Sequence, residues 1–554
     1  MMDSTNYSRV WDRYQHGIAH LNKFGIISET EQAYRFFDGD QWYGVQAGGE
    51  KLPIFNVIKP IVQYKVAVVA QNNLEIVYRP AGAVDEEYDL LSATCEALNK
   101  QASITWERLK LTRRMWDDIR NAAICGDAYR YFYWDSVKEC IATEGIDRNN
   151  ILFGDEQSPN IQEQPYIIIA QRRPVSVVRE EAAACGASKD VIDAIVSDND
   201  TVNQIGVQSR VEVNTGEDGK CISLVCFERV DGVMRVTRST RNVMYDERDI
   251  PGMKLYPIAN LIWSHVKGSA RGIGEVKPIV ANQIEINKTL YRITQAAKIY
   301  SLPRLVYNEN LENPEDLEKV GAPLKVSGGN VQKLSEIVDY LRPQSLSGDT
   351  RNLLDTYLTV TKDLAGASDA AVGNINPEQA SGTAILAVKR SSEMPISDSI
   401  EAYKQYIEDI ALVVFDLLRT YSVNGLDTVW DVVDEQGAPA MTMINTPLRE
   451  LQMLNVDVRI EVSPSNPYDK FAQERSLENL LGAKLITFEE YVAALPDDAV
   501  MPKAKLADIL EKRAAQQAMA AMPTAPPEVP VMPGASAAPN LPPPGLDNTS
   551  QVNA

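Results

Sequence analysis

Residues 274–421 carry the pattern that most constrains how this chain can fold. Segments 274–300 and 349–365 place apolar residues at the three- and four-residue spacing of long amphipathic helices. They bracket a compact stretch, 301–348, whose short β-rich runs LPRLVY and PLKVS are separated by turn signals. A further helical pattern spans 383–421, and Pro395 inside it predicts a kink because proline has no amide donor. The sequence therefore predicts long helices arranged around a small α/β module.

Two of these helices have regular apolar stripes, which predict burial against another surface. The first helix is about 35 Å long, and its stripe consists of Ile279, Ile286, Leu290, Ile293, Ala297 and Tyr300. Beyond Pro395 the stripe consists of Ile396, Ile400, Tyr403, Ile407, Ile410, Val414 and Leu417. We expect the second stripe to pack on another helix, either of the same chain or of a neighbouring subunit.

The stretch between the second and third helices, GASDAAVGNINPEQASG at 366–382, is small, polar and rich in glycine. It is longer than the roughly 2–8 residues that usually join helices. Loops of this kind are either functional or disordered. From the residues alone, both a surface loop without a task and a functional loop remain open.

The remaining chain alternates between helical and β-rich blocks, which is typical of an α+β protein. The first 125 residues read mainly as helices, including one long helix at 104–126. From about residue 128, β-rich runs predict a mixed or antiparallel sheet interrupted by a helical piece at 175–197. Strands return at 425–465 and helices at 467–516. The Pro/Ala-rich end, 517–554, cannot bury enough apolar surface to fold, and we expect it to be disordered.

The composition narrows the class of protein. The net charge of −21 argues against a protein that grips nucleic-acid phosphates, since such a protein needs clustered Lys and Arg. No run approaches the roughly 18 apolar residues of a membrane helix, and the N-terminus has no apolar signal region. We therefore expect a soluble protein, made in a cytoplasm, that contacts no membrane. The six cysteines form no C-x-x-C pair, so we expect buried thiols rather than disulfides.

No sequence motif predicts an active site. GEDGKCIS lacks the first glycine and the hydroxyl residue of a phosphate loop, and a hairpin turn explains it better. KGSARGIGEVKP has glycines but not the full dinucleotide motif. His16 and His20 lie four residues apart without a third metal ligand nearby, and His265 has no nucleophile near it in sequence. We therefore predict a structural protein that is not an enzyme and has no cofactor and no metal.

Several stretches resemble those of the bacteriophage portal, or head-to-tail connector, proteins. They are FFDGDQWYG followed by FNVIKPIVQYKVAVVAQNNLEIVYRP, LIWSHVKGSARGIGEVKPIVANQIEINKTLYR, and SPSNPYDKFAQERSLENLLGAKLITFEEYV. The resemblance covers about residues 10–515 and lies more in the order of the segments than in any one of them. It implies a portal-like α+β architecture with long stem helices, a mixed β wing, a small α/β clip and a helical crown.

Carried over by segment, the resemblance divides the chain into eight parts. These are a wing at 1–273, a first stem helix at 274–300, a clip at 301–348, a second stem helix at 349–365, a tunnel loop at 366–382, a kinked long helix with returning wing strands at 383–466, crown helices at 467–516, and the tail at 517–554.

The resemblance also implies a function and a set of partners. Portal proteins form rings, usually of twelve subunits, that replace one capsid vertex and conduct double-stranded DNA during packaging and ejection. The implied partners are further copies of the chain, the major capsid protein, the terminase large subunit, head-tail adaptor or neck and tail proteins, and DNA that passes without tight binding. The implied location is the portal vertex of the virion, after assembly in the host cytoplasm.

The implied DNA-facing loop contains one Asp, one Glu and no Lys or Arg, which suits a surface past which DNA slides. Its candidate residues are Gly366, Ser368, Asp369, Gly373, Asn374, Asn376, Gln379 and Ser381. Lys389 and Arg390 follow the loop, where they either contact phosphates or form a solvated helix face. The alternatives are another virion or baseplate scaffold protein without a channel, and a packaging ATPase or nuclease, which would need motifs that the sequence lacks.

Overall fold

The structure is a computed structural model with two compact units, residues 1–465 and 466–554. It describes residues 4–45, 51–80, 85–136, 138–198, 219–301, 304–307, 338–341, 348–367, 394–422, 425–433, 439–447, 456–464, 477, 479–483, 485–495 and 506. Element labels below number the described helices and strands in chain order.

The first unit begins with helices, as the sequence predicts. They are α1 (Ser4–Lys23), α2 (Ile26–Asp38), α3 (Ile58–Ala70), α4 (Asp85–Arg108) and α5 (Leu111–Cys125), with strand β1 (Asn72–Pro80) between α3 and α4. The prediction of one long helix at 104–126 is wrong, because Lys110 adopts a left-handed conformation with φ of 50° and separates α4 from α5. Gly126 ends α5 with φ of 115°, a conformation that strongly favours glycine.

Two antiparallel sheets follow, which agrees with the predicted α+β class. Their strands are β2 (Asp127–Asp135), β3 (Cys140–Ile146), β4 (Ile151–Phe153), β5 (Tyr166–Pro174), β6 (Lys220–Val230), β7 (Val233–Ser239), β8 (Met244–Ile250) and β9 (Ile258–Ile262). A three-stranded sheet has the order β3-β2-β9, and a five-stranded sheet has the order β4-β5-β6-β7-β8. The predicted helical piece forms α6 (Val175–Ala184) and α7 (Lys189–Asp193), and the predicted strand SRVEVNT lies outside the described residues.

Helix α1 covers one face of the five-stranded sheet. Its apolar residues form a core with residues of β4, β5 and β6, namely Val10, Tyr14, Leu21, Leu152, Ile168 and Leu224. Arg9 and Arg13 both pair with Glu228 of β6, and the Arg13 guanidinium also lies 4.2 Å from the centre of the Tyr166 ring. The helix is therefore held on the sheet by apolar burial and by one doubly paired carboxylate.

The later elements lie close to the predicted segments. They are α8 (Val276–Ser301), β10 (Arg304–Tyr307), β11 (Val338–Leu341), α9 (Gly348–Leu364), α10 (Ser397–Tyr421), β12 (Leu426–Val433), β13 (Pro439–Thr446) and β14 (Val456–Pro464). Helices α8 and α9 pack on each other, and β10 pairs with β11. Of the predicted strands in 301–348, LPRLVY contains β10, while PLKVS lies outside the described residues. Strand β14 pairs antiparallel with β1 along its whole length, from Asn72–Pro464 to Pro80–Val456.

In the second unit, the described helix is α11 (Phe488–Ala494), which lies inside the predicted helical segment 467–516. It begins with a reciprocal cap, in which the Thr487 hydroxyl accepts from the Glu490 amide and the Glu490 carboxylate accepts from the Thr487 amide. Tyr491, Val492 and Leu495 form its small buried cluster. The predicted disordered tail at 517–554 lies outside the described residues.

The start of α8 is fixed by close backbone packing at glycines. A Cβ atom on Gly272 would lie 2.3 Å from the Gly126 carbonyl oxygen, and one on Gly274 would lie 2.4 Å from the Ile124 carbonyl oxygen. Next to these glycines, Arg271 is buried and pairs with Glu156 at 2.8 Å. The glycines and the arginine of KGSARGIGEVKP therefore hold the chain against α5 and β2, which explains the motif without a phosphate ligand.

We predict that Gly272→Ala lowers the free energy of unfolding by at least about 3 kcal/mol, because the new methyl group overlaps backbone atoms that cannot move independently. Gly268→Ala is the matched control in the same loop. Gly268 has open space around it, so only its left-handed φ of 71° is strained, at a cost of about 1–2 kcal/mol. Urea unfolding of both variants tests this, and equal losses would contradict the packing argument.

Candidate functional site at the ends of residues 368–393

Of the predicted tunnel loop, 366–382, the structure describes only residues 366–367, and the described chain resumes at Met394. Gly366, at the end of α9, and Pro395, before α10, are described. The other predicted site residues lie outside the described residues: Ser368, Asp369, Gly373, Asn374, Asn376, Gln379, Ser381, Lys389 and Arg390. The roles predicted for these nine residues therefore stay predictions.

Helix α9 ends in a well-defined left-handed cap. The Ala367 amide donates to the Lys362 carbonyl at 2.9 Å, and the Gly366 amide donates to the Asp363 carbonyl at 3.0 Å. Gly366 has φ of 66°, the conformation that this pair of hydrogen bonds requires. Ala365 and Ala367 are buried on either side of it. These hydrogen bonds and buried side chains therefore fix the end of α9.

The chain returns at the same place. Pro395 lies in a short 3-10 turn, Met394–Ile396, that leads into α10, and Ile396 is 1% exposed. A Cβ atom on Gly366 would lie 3.2 Å from the Cβ atom of Pro395. The two ends of 368–393 are thus in contact. Because Pro395 precedes α10, it removes none of that helix's hydrogen bonds. The kink predicted within 383–421 stays a prediction, since 383–393 lies outside the described residues.

A buried charged cluster fixes α10. The Tyr406 hydroxyl donates to Oδ2 of Asp118 on α5 at 2.7 Å. Arg130 on β2 donates to both oxygens of the same carboxylate, at 2.6 and 2.8 Å. Burial raises the pKa of Asp118, while the bonds from Arg130 and Tyr406 oppose this shift. One carboxylate therefore joins α5, β2 and α10.

Further hydrogen bonds hold the C-terminal half of α10. Oδ2 of Asp416 accepts from the backbone amides of Lys254 and Leu255, at 2.8 and 2.9 Å. The Tyr78 hydroxyl donates to the Ala411 carbonyl at 2.8 Å. Because α10 is held at Tyr406, Ala411 and Asp416, the chain that resumes at Pro395 leads into a rigid element.

The apolar stripe on α10 buries within the chain, whereas on α8 only Ile279 and Ile286 are buried, Leu290 and Ile293 are half-buried and Ala297 is exposed. On α10, Ile396, Tyr403, Ile407, Ile410, Val414 and Leu417 are buried, and Ile400 is partly buried against the same core. This helix packs on strands β9, β1, β2 and β14 as well as on helices, so the expectation of a helical partner alone is wrong. On α8, Ile279 and Ile286 belong to the same core.

Sequence reasoning missed a buried amide network that attaches α8 to the segment before α3. Gln283 accepts from the Val57 amide at 2.9 Å and donates to the Phe55 carbonyl at 2.7 Å. Asn287 accepts from the Phe55 amide and donates to Gln41, at 3.1 and 2.6 Å. The four-residue spacing of Gln283 and Asn287, within the apolar stripe, is the one signal that could have indicated this network.

The described residues contain no cluster of three or more His, Cys, Asp or Glu side chains placed to hold a metal ion. No described helix is long and apolar enough to cross a membrane. The six cysteines are unpaired; Cys140 and Cys185 are only half-buried, so the expectation of burial is wrong for these two. His265 is exposed at a backbone bridge to Gly272.

Comparison with known proteins gives one family. A family model described as "Phage P22-like portal protein" matches residues 199–541, which is more than half of the chain. The match includes α8, the ends of 368–393 and α10, and it leaves the first 198 residues uncovered. No curated protein matches the chain.

We predict that Gly366→Ala destabilises the chain more than Gly186→Ala does. Both glycines have a left-handed φ, of 66° and 80°, and each substitution costs about 1–2 kcal/mol from that conformation. Only at Gly366 does the new methyl group also press on Pro395, whereas Gly186 has open space. Urea unfolding measures the difference, and identical losses would show that the contact between the two ends is not tight.

We predict that Tyr406→Phe lowers the free energy of unfolding by about 1.5–3 kcal/mol, because the buried Asp118 carboxylate loses one donor. Tyr133→Phe is the control, since the part of the chain that the structure describes offers its hydroxyl no partner. Chemical unfolding curves test both variants, and a loss below about 0.5 kcal/mol for Tyr406→Phe would contradict the role given to the cluster.

Proposed function

Since the chain belongs to the family of P22-like phage portal proteins, we propose that it forms the ring at one capsid vertex through which double-stranded DNA is packaged and ejected. The family is structural, and its members are virion components that connect the head with the packaging and tail machinery. Family membership implies an oligomeric ring with capsid and packaging partners.

The contact between Gly366 and Pro395 is the observation that most supports the proposed channel. In our proposal, 366–382 is the tunnel loop that faces DNA. The described chain stops just after Gly366 and resumes beside it at Pro395, so 368–393, which contains most of this loop, begins and ends at the junction of α9 and α10. With one Asp, one Glu and no Lys or Arg, the loop adds no attraction for phosphate, so passing DNA is not retained.

An exposed apolar stripe on α9 supports the proposed ring. Leu353, Val360 and Leu364 are 46%, 45% and 74% exposed, and their spacing places them on one side of the helix. The buried side of α9, which includes Thr361, points in a different direction. We propose that the stripe packs against a neighbouring subunit, where repeated head-to-tail contacts close by rotation.

The partners follow from the same proposal. We propose that the clip, 301–348, binds the terminase large subunit during packaging and head-tail adaptor or neck proteins afterwards. The wing, 1–273 with the returning strands, contacts the major capsid protein, and 467–516 forms the crown. The ring has the twelve subunits usual for the family, assembles in the host cytoplasm, and acts without a catalytic centre.

Electron microscopy of the purified full-length chain tests the proposed function. The expected result is a ring with a central hole, with residues 366–382 on its inner side. Particles without a channel, or a map that places these residues on the outer rim, would overturn the proposal. Mass measurement that finds only monomer at micromolar concentration would also count against it.

We predict that Val360→Asp weakens assembly of the ring by at least about tenfold per contact, because an aspartate in an apolar interface must give up its hydration. Thr359→Asp on the neighbouring exposed position outside the stripe is the control, and we expect it to assemble normally. Mass photometry across a dilution series measures both variants. Equal assembly of the two variants would exclude the stripe as a subunit contact. It would not exclude the ring, which electron microscopy tests separately.

A further inference from the structure

A cleft of about 460 Å³ lies between α10, the end of β9 and the turn at 159–162. Ala402, Gln405 and Asp409 line it from one face of α10, at spacings of three and four residues. Asn260 and Ile262 line it from β9, where alternate residues share a face. The volume falls within the roughly 300–1,000 Å³ of ordinary ligand pockets.

Asp409 is the charged group of this cleft that lacks a compensating partner. It is half-buried, and no hydrogen bond or ion pair reaches its carboxylate from the residues that the structure describes. Burial, with a smaller contribution from the neighbouring Glu408, raises the pKa of Asp409 to about 7. A carboxylate in this position is costly unless a cation joins it.

The other lining residues indicate which cation fits. The side chains of Asn260 and Gln405 have no hydrogen-bond partner in the described part of the chain, so their amide oxygens are available as acceptors. Ile262 and Ala402 supply apolar wall between the polar groups. A guanidinium offers five donors in a plane, and its aliphatic stem packs on apolar surface. A metal ion fits less well, because the described residues contain no group of three or more His, Cys, Asp or Glu side chains placed to hold one.

We propose that this cleft binds an arginine side chain of another protein, with the guanidinium on the Asp409 carboxylate, its amide contacts on Asn260 and Gln405, and its stem against Ile262 and Ala402. The occupant comes from a basic partner rather than from a second copy. The chain carries a net charge of −21, so electrostatic attraction favours a positively charged partner, whereas two copies repel each other at long range.

The site depends on pH. Asp409 must be ionised to bind a guanidinium, so affinity falls as the pH drops below about 7. The other titratable residue that lines the cleft is His265, and Glu408 is the neighbouring charge on α10.

Saturation-transfer NMR with the full-length chain tests the proposal, using Nα-acetyl-arginine amide as the probe at about pH 8 and about pH 5.5. Nα-acetyl-citrulline amide, which has nearly the same shape but no charge, is the control ligand. Asp409→Asn removes the charge with little change of volume. Glu401→Gln is the control variant, since Glu401 is a well-exposed carboxylate on the same helix that pairs with Lys404.

The expected result is that the arginine derivative binds the wild type and Glu401→Gln at the higher pH, at least about tenfold more strongly than the citrulline derivative. Binding should fall at least about tenfold at the lower pH and in Asp409→Asn. Equal binding of the two ligands, or unchanged binding by Asp409→Asn, would overturn the proposal. Asp409→Asn creates no new apolar surface, so sedimentation should show that this variant assembles as the wild type does. Loss of assembly would show that a second copy occupies the cleft and would overturn the choice of partner.

Discussion

The buried carboxylate of Asp118 is the interaction on which the arrangement of the first unit depends. It accepts hydrogen bonds from Arg130 of β2 and Tyr406 of α10, and it lies on α5, so one group joins α10 to two consecutive elements that are distant from it in sequence. Ion pairs of this kind add little net stability compared with an apolar core, but they penalise any packing that leaves a charge unpaired. Their main effect here is to fix which surface of α10 faces α5. That orientation also fixes the position of Pro395, where the described chain resumes after 368–393.

The parts of the fold that sequence analysis predicted well depend on local rules. The bounds of α8 and α9 and the end of α5 follow from apolar spacing and glycine stops, which act within a few residues. The break at Lys110 could not be predicted, since a left-handed lysine is set by tertiary packing that overrides local preference. The partners of the α10 stripe were also misjudged, because a regular stripe indicates burial without indicating whether a helix or a sheet covers it.

At the candidate site, too, sequence analysis predicted local features and missed contacts between residues that are distant in sequence. The cap at Gly366 follows from a glycine directly after a helical pattern, whereas its contact with Pro395 joins residues almost thirty positions apart and has no local signature. The amide network of Gln283 and Asn287 was missed because polar residues within an apolar stripe usually indicate its edge, and here backbone partners from the segment before α3 satisfy them. The glycines near 272, which do not complete a ligand-binding motif, allow two backbone segments to touch. In each case the residue type indicated that the position is constrained, but it did not indicate which residue would contact it.

The pairing of β1 with β14 has a consequence for how the polypeptide is made. Asn72 pairs with Pro464, so the N-terminal strand emerges from the ribosome long before its partner exists. At roughly 5–20 residues per second, translation leaves β1 waiting on the order of tens of seconds with its backbone amides and carbonyls unpaired. An unpaired strand can template association between nascent chains. In the folded chain α3 and α4 pack beside β1, and we expect the same packing to shield this edge during synthesis.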